Sequence, residues 1–229
     1  MEYLVIIIFL LITLFILKII FGYSKKQIKQ LAENKELDKI AEKYPDNIEI
    51  CKEYLKMLNN ENVNIEEDNQ AVNSLYITIS NKILIANVRK SYTRIQTIAH
   101  ECLHSIQDRK ILMFNFIYSN LYILYFIVIS ILATLNSLPY KMTFLSILIV
   151  GGFIYYFVRS YLENDAMIKA RFLAKEYMEK KNISTKEEIN AMVNAFDRLN
   201  DIGIKSTNYL LFMSIILEIL AFCIIAFFR

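Results

Sequence analysis

The apolar positions of this chain follow two patterns. In four stretches they run almost without interruption: Tyr3–Phe21, Phe116–Leu135, Met142–Val158 and Tyr209–Phe228. Each matches the roughly 17–25 residues a helix needs to cross a bilayer. Elsewhere the apolar residues are spaced. Ile28, Leu31, Leu37, Ile40 and Ala41 give Gln27–Lys43 the period of an amphipathic helix, and Ile48–Leu58 predicts a second. Asn59–Gln70, polar, acidic and asparagine-rich, predicts a surface loop. Leu75–Ile79 and Ile83–Val88 flank Ser80-Asn81-Lys82 and predict a β-hairpin. Ile95, Ile98, Ala99, Cys102, Leu103 and Ile106 predict a helix with one core-facing side. Ala166, Ala170, Leu173, Ala174 and Tyr177 predict another, opened by Glu163 and ending near Lys180. Ser184-Thr185 followed by Glu187-Glu188 forms a capping-box start for a last polar helix through Asp201, with Gly203 helping to end it.

The fold class predicted is a mainly α membrane protein of four transmembrane helices. A polar α+β domain with a small hairpin completes it. Residues 1–22 form an N-terminal anchor and 111–158 a transmembrane hairpin. Residues 208–229 form the final span, and 23–110 with 159–207 make the polar domain. Hydrophobic residues make up 55% of the chain, which excludes an ordinary soluble domain. Glu2 stands where a cleavable signal carries basic residues, and no A-x-A site follows the first span, so it reads as a retained anchor. Four crossings place Gly22–Lys110 and Arg159–Asn208 on one side. Lys25, Lys26, Lys29, Arg109, Lys110, Arg159 and Lys205 flank that side, against Lys141 and Arg229 on the other. The positive-inside rule makes the polar domain cytoplasmic, in a multi-pass protein of the cell membrane. The net charge of +3, with lysines and carboxylates alternating, suits a surface near anionic lipid and gives no sign of nucleic-acid binding. Cys51, Cys102 and Cys223 are scattered and suggest no disulfide framework.

Chemistry concentrates in His100-Glu101-Cys102-Leu103-His104, which contains both histidines of the chain. On a helix, H-E-x-x-H stacks two imidazoles one turn apart and sets a carboxylate beside the first. That arrangement holds a catalytic zinc, with the glutamate, Glu101, as general base. The plainer alternative is a pair of hydrogen-bonded core histidines. Cys102 falls on the far side of the helix and reads as a packed thiol. Gln107 shares the histidine stripe, either orienting a ligand from outside or simply solvated. With no histidine left, a third ligand must be Asp, Glu or Cys. Glu163 is the candidate, because the even number of crossings puts it on the same side as the histidines. Its alternative role is an acidic first turn complementing a helix dipole.

Further candidates each have a plain structural alternative. Tyr209, Arg171 and Arg198 are candidates for stabilising an oxyanion. Tyr209 also suits a membrane interface, and the arginines suit surface ion pairs. Glu218 lies inside the last span, where a carboxyl must be paired, protonated or facing a cavity. Gly151-Gly152 suits close helix packing. An exposed hairpin edge beside the metal helix can take an extended peptide by strand addition or simply cover the core.

The run Ile98-Ala99-His100-Glu101-Cys102-Leu103-His104-Ser105-Ile106-Gln107 resembles the A-H-E-x-x-H-x-I-Q block of a bacterial family of membrane-embedded neutral zinc metallopeptidases, the YugP-like group. Glu163-Asn164-Asp165-Ala166 resembles its downstream E-x-D-A block, whose glutamate the resemblance makes the third ligand. The order of anchor, metal helix, hairpin, acidic helix and final span is similar along nearly the whole chain. A more distant resemblance is to the Ste24 and HtpX membrane gluzincins. Their E-x-x-x-D motif is not kept, since Met167 stands four after Glu163. Leu103 also departs from the small residue usual before the second histidine.

The expectation is therefore a hydrolase: a zinc-dependent endopeptidase with one zinc ion on His100, His104 and Glu163, and a peptide or membrane-protein substrate. A zinc-binding scaffold or sensor is the alternative, against which stand Glu101 and a set of three ligands where structural zinc takes four. A transporter has only Glu218 in its favour.

Overall fold

The computed structural model describes residues 2–21, 25–68, 70–71, 73–86 and 91–229. Among them run α1 (Glu2–Phe21), α2 (Lys25–Ala32), α3 (Lys35–Ala41), α4 (Asn47–Met57), β1 (Asn64–Asp68), β2 (Leu75–Ile77), β3 (Lys82–Ala86), α5 (Arg94–Ile106), α6 (Arg109–Thr134), α7 (Lys141–Lys181) and α8 (Lys186–Phe228). The chain is mostly helical, with one small sheet. Gly22, Asn87, Val88 and the side chains of Lys25, Lys26 and Gln27 lie outside the described residues.

Two compact units result: Met1–Tyr23 with Phe114–Tyr161 and Lys205–Arg229, and Ser24–Met113 with Leu162–Ile204. The first is apolar. Four helices, α1, α6, α7 and α8, are long and apolar enough to cross a membrane. Their shared core holds Leu10, Tyr122, Ile129, Leu148, Ile216 and Phe222. Large side chains such as Val5, Phe9, Ile19, Leu124 and Phe157 stay exposed, an outer surface suited to lipid. Gly152 is buried where helices meet: a Cβ there would lie 2.5 Å from Ile215 Cγ2 and 2.8 Å from the Tyr122 hydroxyl. Only a residue without a side chain permits that approach. Glu218 is half-buried in this unit beside Tyr122.

The second unit differs from the sequence expectation in five places. The segment expected as one helix over Gln27–Lys43 is two, because the Asn34 side chain accepts from the Glu36 and Leu37 backbone N–H groups and starts α3 afresh. Part of the expected loop Asn59–Gln70 is strand β1, pairing in parallel with β3, Ile65 opposite Ile83. Lys82 bonds Glu66 across that pair at 2.7 Å. β2 pairs antiparallel with β3 on its other side, Tyr76 opposite Ile83, in the order β1-β3-β2. The hairpin turn ends at Asn81, whose φ of 46° suits asparagine, and Lys82 already belongs to the strand. Glu163 does not open a helix; it lies deep within α7. Nor does Gly203 end one, since α8 continues through it. A lone helical glycine costs only about 1 kcal/mol, which the long helix tolerates. The capping box forms as expected at Thr185 and Glu188.

β3 buries Ile83 and Ile85 against α4 and α5, whose core residues include Ile50, Tyr54, Ile95, Ile98 and Cys102. Arg94, buried in the first turn of α5, donates to the carbonyls of Ala41, Tyr44 and Pro45 and to Asn47 Oδ1 at 2.7–3.1 Å. It ties the α3–α4 connection to the start of the helix that carries the histidines. Arg94→Met removes these donors and orphans buried carbonyls, at about 1–3 kcal/mol for each unmet group. The expected loss is about 3 kcal/mol or more in denaturant unfolding of the full chain. A loss below about 0.5 kcal/mol, the range of ordinary surface substitutions, refutes that role.

Candidate metal centre

Helix α5 is amphipathic and almost wholly enclosed, with Ile95, Ile98, Ala99 and Cys102 fully buried. Gln96, on the same helix, donates to Asn200 of α8, which in turn donates to the Met167 carbonyl of α7. These buried amides fasten three helices together. Neither Gln96 nor Asn200 had a sequence signal. Arg94 had one: a cation in a helix's first turn opposes the dipole.

On this support the imidazoles of His100 and His104 stand one turn apart, Nε2 to Nε2 at 3.0 Å. Glu163 Oε2 lies 3.4 Å from His100 Nε2 and 3.6 Å from His104 Nε2. The three side chains are only 17%, 11% and 12% exposed. They form a group able to hold a metal ion, with all ligand atoms within 4.8 Å of one another. A tetrahedral ion with bonds of about 2.0–2.1 Å separates its ligand atoms by about 3.3–3.4 Å. The observed triangle of 3.0, 3.4 and 3.6 Å brackets that length. The donor set of two imidazoles and one carboxylate at these separations fits a metal ion with bonds of that length. Glu163's place within α7, more than 20 residues from its start, leaves no helix-dipole role for its carboxylate.

Glu101 is 7% exposed and lies outside this triangle. Burial lifts its pKa above the ordinary carboxylate value; the two imidazoles pull it down, Glu163 pushes it up, and a hydrogen bond to the Tyr76 backbone of β2 pulls it down again. The edge strand thus holds the carboxylate in place. For His104, burial opposes a charge, but Glu163, Glu101 and Gln107 outweigh it and raise the pKa.

Gln107, just beyond α5, touches His104 Nδ1 through Oε1 at 2.8 Å, the Leu162 carbonyl through Nε2 at 2.8 Å and Asp165 Oδ2 at 3.2 Å. Lys169 pairs with Asp165 at 2.6 Å. Cys102 points into the core, Sγ 3.5 Å from Cys51 Sγ. Burial pushes the Cys102 thiol well above its ordinary pKa, which keeps it neutral.

The remaining candidates are placed as follows. Arg171 is committed to Asp197 at 2.7 Å and stacks over Phe172. Arg198 is on the surface. Tyr209 is buried in the apolar unit, its ring against Phe21. Comparison with family models, curated proteins and solved structures finds no match.

Proposed function

We propose that this protein is a membrane-embedded zinc-dependent endopeptidase. The observation that carries the reading is the triangle of His100, His104 and Glu163 with Glu101 buried beside it and left out of it. A structural zinc site takes four protein ligands and has no use for an enclosed spare carboxylate. Here three ligand atoms converge and a base stands by.

A zinc ion held there would supply Lewis acidity for a peptide carbonyl and lower the pKa of a coordinated water to about 7. The chain's own residues do the rest. His100, His104 and Glu163 hold and orient the ion. Glu101 moves a proton: its carboxylate accepts one from the attacking water and delivers it to the departing amine nitrogen. Tyr76, through its backbone, keeps that carboxylate aimed.

The four long apolar helices support a multi-pass membrane protein. Both ligand-bearing segments belong to one folded unit, so they share one side of the bilayer. The lysine and arginine asymmetry makes that side the cytoplasm, and substrates are then cytoplasmic or membrane-proximal polypeptide segments.

The test is direct. Purified full-length protein in detergent should carry about one zinc per chain, the stoichiometry of a single site. It should cleave unfolded polypeptide, lose that activity to a chelator and recover it with added zinc. Protein that holds zinc and cleaves nothing across a broad peptide library contradicts the peptidase reading and leaves a zinc-binding scaffold.

A further inference from the structure

The Gln107 amide has two faces, and its surroundings decide which way round it sits. One face meets the Leu162 carbonyl at 2.8 Å and Asp165 Oδ2 at 3.2 Å. The Leu162 oxygen carries no proton and can only accept. The NH2 group of Gln107 must therefore lie on that side, which leaves Oε1 to face His104 Nδ1 at 2.8 Å. An amide oxygen can only accept as well. His104 must then donate, and its ring proton belongs on Nδ1. In a neutral imidazole the lone pair is then left on Nε2, the atom 3.0 Å from His100 Nε2 and 3.6 Å from Glu163 Oε2.

We infer that Gln107 is a positioning residue that locks His104 into the Nδ1–H tautomer, held in register by Leu162 and Asp165 of α7. This rests on the metal-site reading above and adds a directional device to it. The helix that supplies the carboxylate ligand also sets the amide that sets the imidazole. Lys169, one turn beyond, fixes Asp165 Oδ1 and leaves Oδ2 for Gln107. A glutamine at this position does what only a fixed acceptor can do: it selects one of the two ring nitrogens for the ion and fixes the plane of the ring.

The chain's two histidines make the measurement clean. The full-length protein, 15N-labelled at histidine and solubilised in detergent, is stripped of metal. Its ring nitrogens are then assigned by NMR at a pH where both rings are neutral. His104 should show a protonated Nδ1 and an unprotonated Nε2. Gln107→Leu should shift that ring toward the Nε2–H form that a free histidine side chain prefers. It should also weaken zinc binding, measured by chelator competition, by roughly 10–100-fold, as loss of an outer partner to a ligand typically does. A wild-type His104 protonated on Nε2 overturns the inference without any variant, so a Gln107→Leu chain that fails to fold does not shield it. Wild type that holds zinc, beside a Gln107→Leu variant with equal affinity and unchanged ring, removes the positioning role and leaves the metal reading intact. Wild type that holds no zinc, with His104 still protonated on Nδ1, removes the metal reading and upholds the tautomer assignment.

Discussion

Glu101→Gln should keep its zinc and its fold and lose peptide hydrolysis by about 10²–10⁴-fold. The substitution keeps the side chain's shape and takes away its ability to accept a proton. No ligand is removed, since Glu101 stands outside the triangle of His100, His104 and Glu163. The fold has little reason to change. The wild-type carboxylate already sits against its preference in an enclosed site that raises its pKa by burial, and a neutral amide avoids that cost. Turnover of an unfolded polypeptide, measured beside metal content by mass spectrometry, separates the two effects. Equal turnover in the variant ends the peptidase reading, whatever the zinc content.

The second large effect lies in the metal. Glu163→Gln replaces an anionic ligand with a neutral one, and His100→Ala deletes a donor. The first leaves a much weaker third ligand and the second leaves two of three. Zinc affinity should fall by well over the 10–100-fold typical of outer partners alone, with occupancy collapsing under mild chelation. Arg171→Gln, at an ion pair with Asp197, should leave occupancy unchanged and serves as the control. Full retention of zinc by Glu163→Gln, with loss on substituting Asp165, would move the third ligand to the neighbouring carboxylate.

Much of the fold, and the grouping of His100, His104 and Glu163, was legible in the sequence for simple reasons. The four long apolar helices contain uninterrupted apolar runs, and nothing competes with that signal. The two imidazoles and their carboxylate are fixed by helix geometry alone, so a short motif carries them. What the sequence hid depends on partners distant in the chain. β1 reads Asn-Ile-Glu-Glu-Asp, poor strand material. It becomes a strand because β3 offers it a parallel ladder, with Lys82 on Glu66 and Asn47 on Glu67 to hold its carboxylates. The breaks expected inside α7 and α8 are absent, because a change of polarity along a helix demands no change of backbone. Between Val158 and Glu163 there is no glycine or proline to stop the helix, so it continues. Gln107 was ambiguous from sequence, since its partners Leu162 and Asp165 lie beyond an entire apolar hairpin.

That separation has a consequence for how the molecule is made. The two imidazoles come from α5 and the carboxylate from α7, with about sixty residues of chain between His104 and Glu163. At roughly 5–20 residues per second, a ribosome takes several seconds to cross that interval, during which all of α6 and the apolar start of α7 are made. A nascent or truncated chain carries two-thirds of a metal centre and no more. The three-residue group is complete only once both halves of the polar unit have met, so any ion it holds is bound after the second half is made.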